Sequence, residues 1–165
     1  MPKRNALAVL LLSIVLGGVA WLHAQQNGRG ALTTQDYIDI QQLYARYNHA
    51  IDGGDAEAYA ALFTPDGSFN NNNGHDALVA FIKTRNGANL RHWNTNLTIT
   101  GTPEGASGSV YLMFLNVGVR PPVVTGAGKY EDALVKTAQG WRFKKRVNRP
   151  EGPPATTPAA AQPPQ

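Results

Sequence analysis

Hydrophobic and polar positions along this chain change period near residue 90, from helical spacing to strict alternation. Between Thr34 and Ile51, apolar and aromatic side chains recur at Tyr37, Ile40, Tyr44, Tyr47 and Ile51. Steps of three and four put them on one helical stripe, which needs a second layer to cover it. Thr34 is the predicted cap, with Asp36 in the first turn, where the positive end of the helix dipole favours a carboxylate. Gly53 and Gly54 supply the left-handed backbone on which the helix stops, and Asp55 caps a short second helix. Thr64-Pro65-Asp66-Gly67 predicts a tight turn into the first strand, because proline presets φ and glycine accepts a positive one. After the Asn70 to Gly74 loop, Leu78, Val79, Phe81 and Ile82 give the segment Asp76 to Arg85 a helical apolar face.

From Leu90 the period is two. His92, Asn94 and Asn96 alternate with Trp93, Thr95, Leu97 and Ile99, predicting a strand with one polar and one largely apolar face. A loop is expected from Thr102 to Gly108. Ser109 to Val117 is apolar on both faces and reads as a central strand. Arg120-Pro121-Pro122 separates it from Val123 to Val135, where Gly126 and Gly128 predict a bulge or sharp bend. Thr137 to Gly140 is a turn, and Trp141 to Val147 the last strand. Helices followed by meandering strands indicate an α+β domain, with helices on one side of a mainly antiparallel sheet.

Composition changes this picture mainly at the two ends. Lys3 and Arg4 precede an apolar run from Ala6 to Trp21, so residues 1–24 read as an export signal, with cleavage after Ala24 or retention as an N-terminal anchor. The expected location is therefore the periplasm or the extracellular space. Residues 25–31 are a polar lead-in, 32–148 the folded domain, and 149–165 a Pro/Ala-rich tail with nothing to pack. The chain has no cysteine, so the domain must hold by its core alone. Its net charge of +4 is 15 basic against 11 acidic residues, and without Lys3 and Arg4 the difference falls to 13 against 11. That balance argues against nucleic acid as a general partner. The basic cluster Arg142, Lys144, Lys145, Arg146 and Arg149 reads as the solvated face of the last strand, with an anionic partner contact as the alternative.

Four ordered motifs resemble the SnoaL-like domain of the nuclear transport factor 2-like superfamily. They are Tyr47-x-x-Ala50-x-Asp52-x-x-Asp55 with Leu62-Phe63-Thr64-Pro65-Asp66-Gly67, then Arg91-His92-Trp93-x-x-Asn96-x-x-Ile99, then Lys129-Tyr130-Glu131-Asp132, then Gly140-Trp141-Arg142-Phe143. The resemblance covers roughly Leu32 to Asn148. It implies a cone, in which a strongly curved sheet wraps the long helix and encloses a pocket. It also implies, from scytalone dehydratase-like relatives, an Asp-His pair at Asp52 and His92. The match to those enzymes is partial. Ile51 stands where they have a tyrosine before the aspartate, Asn70 or Asn71 where they have another, and Tyr111 near the place of a second histidine.

A carboxylate at a helix C-terminus faces the negative end of the dipole and gains from a partner that donates a hydrogen bond. Asp52 would fix the tautomer of His92 and leave its other ring nitrogen to move a substrate proton. Each residue also has a structural reading: an Asx turn for Asp52 before two glycines, and a core histidine bonded to a carbonyl for His92. Tyr47, Asn96, Tyr111 and Tyr130 are the candidate substrate-binding residues. Trp93 and Trp141 are assigned to packing. Four scattered histidines without cysteine make no zinc pattern, and no nucleotide or serine-hydrolase motif occurs, so neither metal nor cofactor is expected. The function expected is cofactor-free dehydration or isomerisation of a small, largely apolar, ring-containing molecule. The alternative is a non-catalytic module that binds a ligand or forms a homodimer through its open sheet face. No membrane contact is expected beyond an uncleaved signal anchor.

Overall fold

The computed structural model describes residues 30–85 and 87–152. The expected signal segment, most of the expected lead-in and the expected tail beyond Gly152 lie outside the described residues. Helix α1 (Thr34–Gly53) leads into α2 (Ala56–Ala60), strand β1 (Phe63–Phe69), the two-residue β2 (Asn72–Asn73) and helix α3 (His75–Lys83). Four long strands follow: β3 (Leu90–Thr102), β4 (Gly105–Asn116), β5 (Val123–Thr137) and β6 (Gly140–Glu151). They form one sheet in the order β2-β1-β6-β5-β4-β3, antiparallel except for the β1–β6 pair. The α+β expectation therefore holds, with every long strand hairpin-linked to the next.

Helix α1 begins one residue earlier than the periodicity implied. Thr33 is its cap, in a capping box closed by Asp36, and Gly54 at φ 70° ends it. Asp55 caps α2 by accepting from the Ala58 N–H at 3.0 Å. The buried stripe is Asp36, Ile40, Leu43, Tyr44, Tyr47, Ala50 and Ile51, and Tyr37 lies outside it at the exposed start of the helix. Asp36 belongs to the stripe because the sheet offers it donors. Its carboxylate receives Lys136 Nζ at 2.7 Å and Trp141 Nε1 at 2.9 Å, besides the Thr33 hydroxyl and N–H. Those bonds, led by Lys136, hold the Asp36 carboxyl far below the usual carboxylate range.

Three departures from regular alternation shape the sheet. In β3, Thr95 pairs with Tyr111 but Thr98 with Ser109, so the strand carries an extra residue, and Asn96 takes φ 54°. In β5, Gly126 pairs with Phe114 and Val124 with Leu115, which makes Thr125 the extra residue and places a bulge at the predicted glycine bend. In β6, Leu134 pairs with Phe143 and Ala133 with Lys145, so Lys144 is extra. The expected Thr64–Gly67 turn lies inside β1, where pairing with β6 is interrupted between Phe63 and Ser68. Pro65 has no N–H to give that ladder. The expected Thr102 to Gly108 loop is a short hairpin turn at Pro103 and Glu104.

The β6 bulge overturns the solvated reading for Arg146 alone, while Lys144, Lys145 and Arg149 are exposed as expected. Lys144 and Lys145 both point outward, and Arg146 turns inward with no exposed surface. Its Nε and Nη2 donate to the two oxygens of buried Asp132, each at 2.8 Å, and the Tyr44 hydroxyl donates to the same carboxylate. The guanidinium carbon lies 4.0–4.6 Å from the ring centres of Phe143, Tyr47, Tyr130 and Tyr44. Desolvation of a lone cation here would cost several kcal/mol, and the bidentate carboxylate and the ring faces offset that cost. Asp132 keeps Arg146 charged in this setting. The centre of the cone is thus filled by an aromatic cluster around an ion pair.

Candidate active site

Asp52 sits in the last turn of α1 and His92 near the start of β3, forty residues later. Because α1 lies along the inner face of β3, the helix end and the strand start meet at one edge of the cone. The His92 Nδ1–H donates to Asp52 Oδ1 at 2.5 Å, and the His92 backbone N–H donates to Oδ2 at 3.0 Å. Both carboxylate oxygens are therefore spent on one residue, which fixes the ring and places its proton on Nδ1. The His92 side chain is 2% exposed and Asp52 14%. Phe114 closes the other side of the imidazole, edge to face with ring centres 5.0 Å apart. This leaves Nε2 as the acceptor that can meet a substrate proton.

A cleft of about 530 Å³ opens on the pair, lined by Ala45, Asn48, His49, Arg91 and Trp93 together with Gly53. A second, of about 290 Å³, continues between α1 and β3 and is lined by Tyr44, Leu97, Val110, Asn48 and Asn94. Ala45 and Asn48 border both. Among the described residues, no three His, Asp or Glu side chains gather as a metal-ligand set.

The four candidate binding residues do not join this pair. Tyr47 and Tyr130 are fully buried in the aromatic cluster, 5.7 Å apart between ring centres, and Tyr47 shares a 3.3 Å hydroxyl contact with Tyr59. Burial pushes both phenols upward, so they remain protonated. Tyr111 faces outward, 48% exposed, across from Thr95 on the far side of the sheet. Asn96 lies on the β3 bulge, which turns it to solvent and brings Leu97 and Ile99 to the His92 face in its place. Trp93, expected in packing, is 57% exposed and borders the cleft, whereas Trp141 is buried as expected.

What the alternation did not single out is the pair Asn48 and Asn94. Asn94 Nδ2 donates to Asn48 Oδ1 at 3.2 Å, one rung along the same helix–strand seam from Asp52 and His92. The signal was available, since Asn94 is two residues from His92 and Asn48 four from Asp52. Arg146 was legible only through the tandem Lys144-Lys145, which regular alternation cannot turn outward together.

Comparison with known proteins places this geometry in a family. No curated protein matches the chain. Among solved structures, one from Catenulispora acidiphila is 30% identical, with a TM-score of 0.63 over 69% of this chain and 90% of that one. Another from the same organism, in complex with S-DNPA, is 28% identical, with a TM-score of 0.60 over 70% of this chain and 95% of that one. A protein of unknown function with a cystatin-like fold from Nostoc punctiforme is 25% identical, with a TM-score of 0.66 over 73% and 94%. The profile of the SnoaL-like domain matches residues 33–147, nearly all of the described fold, and the chain belongs to that family.

Proposed function

We propose that this protein takes a small, largely apolar ring compound into the cleft at the α1–β3 seam and performs cofactor-free acid–base chemistry on it, a dehydration or an isomerisation. The observation that carries this reading is the double hydrogen bond from His92 to Asp52 in a nearly dry corner of an accessible cleft. A carboxylate that accepts from Nδ1 makes Nε2 a directed base, and the same nitrogen returns the proton as an acid later in the cycle. The solved relative in complex with S-DNPA supports a small-molecule ligand for the fold. The reaction would proceed beyond the cytoplasmic membrane, given the basic and apolar pattern of residues 1–24. Cell fractionation checks that point, and full-length protein found only in the cytosol contradicts it.

The catalytic step is tested with β-tetralone, a two-ring ketone whose hydrogens beside the carbonyl are weakly acidic. Deuterium uptake from heavy water, followed by proton NMR, should be faster with the wild-type protein than in buffer. His92→Ala should remove about a hundredfold of the enhancement. Binding of the ketone with no acceleration would instead make the domain a ligand-binding module.

A further inference from the structure

The amide pair beside the catalytic candidates has an unfinished hydrogen-bond set. Asn94 gives its Nδ2 to Asn48, but its Oδ1 is buried and has no donor among the described residues. A buried carbonyl oxygen without a donor costs about 1–3 kcal/mol, so the position calls for a group that supplies one. The walls around it do not. Ala45, Leu97 and Val110 are apolar, the Tyr44 hydroxyl is already committed to Asp132, and the Gln41 amide, which also lines the cleft, makes no bond to this oxygen.

The spacing of this pair from the first is set by the backbone. Asn48 precedes Asp52 by four residues on a helix, a rise of about 6 Å. Asn94 follows His92 by two on a strand, about 7 Å. The seam therefore carries two parallel rungs, Asp52–His92 and Asn48–Asn94, separated by roughly the width of one substituted six-membered ring. The apolar part of the second cleft begins beyond the amide rung.

We infer that Asn94, held by Asn48, is the specificity-determining acceptor for a hydroxyl on the substrate, and that the substrate is an uncharged, hydroxylated compound of one or two rings. The hydroxyl donates to Asn94 Oδ1, the ring body lies against Leu97, Val110 and the Tyr44 ring, and the reacting carbon faces His92 Nε2. This inference rests on Asp52–His92 as the reacting centre for its orientation, though the hydroxyl preference itself needs no proton transfer.

The test compares β-naphthol with its methyl ether, which has the same rings and no donor, by titration into the wild-type protein under NMR observation of the side-chain amides. The naphthol should bind about tenfold tighter and shift the Asn94 amide signals, because a site built to pair a hydroxyl discriminates against its absence. Asn94→Leu should abolish the preference while His92→Ala keeps it. Asn48→Ala, at a half-buried helix position, should narrow the preference and serves as the second variant if Asn94→Leu fails to fold. Equal binding of the two probes, a preference retained in Asn94→Leu, or no binding of either at millimolar concentration overturns the inference. A protein that exchanges β-tetralone but ignores the hydroxyl sinks this inference alone. One that prefers the hydroxyl without exchange sinks only the catalytic reading.

Discussion

Arg146 shows at the scale of one residue how strongly this core depends on a single counter-charge. Its guanidinium is fully buried among four rings and, among the described residues, is hydrogen-bonded by Asp132 alone, with no partner there for Nη1. Removing a partner from a buried ion pair leaves the other charge uncompensated, so Asp132→Ala should lower stability by about 3–5 kcal/mol in urea denaturation. Arg146→Met leaves the buried Asp132 carboxylate uncompensated in turn and should cost a similar amount, whereas the double variant Asp132→Leu with Arg146→Met removes both charges and should cost clearly less than either single one. A double variant that loses as much stability as the two single ones together would mean that packing, and not the buried charge, dominates. Asp52 and His92 obey the same logic with a different outcome. Their pair lies at the edge of the core beside an open cleft, so the polarity that stabilises it is also within reach of a ligand.

At the scale of elements, the helices were legible in the sequence because capping residues and stripes act locally. Gly54, which lacks a Cβ and takes a positive φ, ends α1, the Asp55 carboxylate caps α2, and Asp76 to Arg85 corresponds to α3 within two residues. The strand faces were less legible, because one extra residue reverses every side chain beyond it. Asn96 and Arg146 were placed on the wrong faces for that reason, and neither bulge has a proline or glycine to announce it. Asp36 joins the two kinds of element, since it closes the α1 capping box and accepts from Lys136 of β5 and Trp141 of β6. Its depressed folded-state value gives the sign of a pH effect. The stability that it supplies is complete above the unfolded carboxylate value of about 4 and fades as pH falls below it. Asp36→Asn should therefore be less stable than wild type near neutrality by about 2 kcal/mol. The gap should shrink when denaturation is repeated toward pH 2, and a gap independent of pH would show that the charge is immaterial.

For the whole molecule, the cone was legible only through the resemblance of four motifs, because curvature arises from bulges and from the β1–β6 pairing that joins distant parts of the chain. The expected pocket is divided by what fills it. Tyr47, Tyr59, Tyr130 and Phe143 close the centre around Arg146, and open space remains at the α1–β3 seam, where Asp52, His92, Asn48 and Asn94 gather. The core thus supports a site that lies on its flank, and the candidate chemistry depends on one hydrogen-bonded contact between residues forty apart. Long-range proton–nitrogen NMR of the imidazoles tests that contact directly. Wild-type His92 should appear as the Nδ1–H tautomer and switch to Nε2–H in Asp52→Ala, and a wild-type His92 already protonated on Nε2 alone would contradict the account.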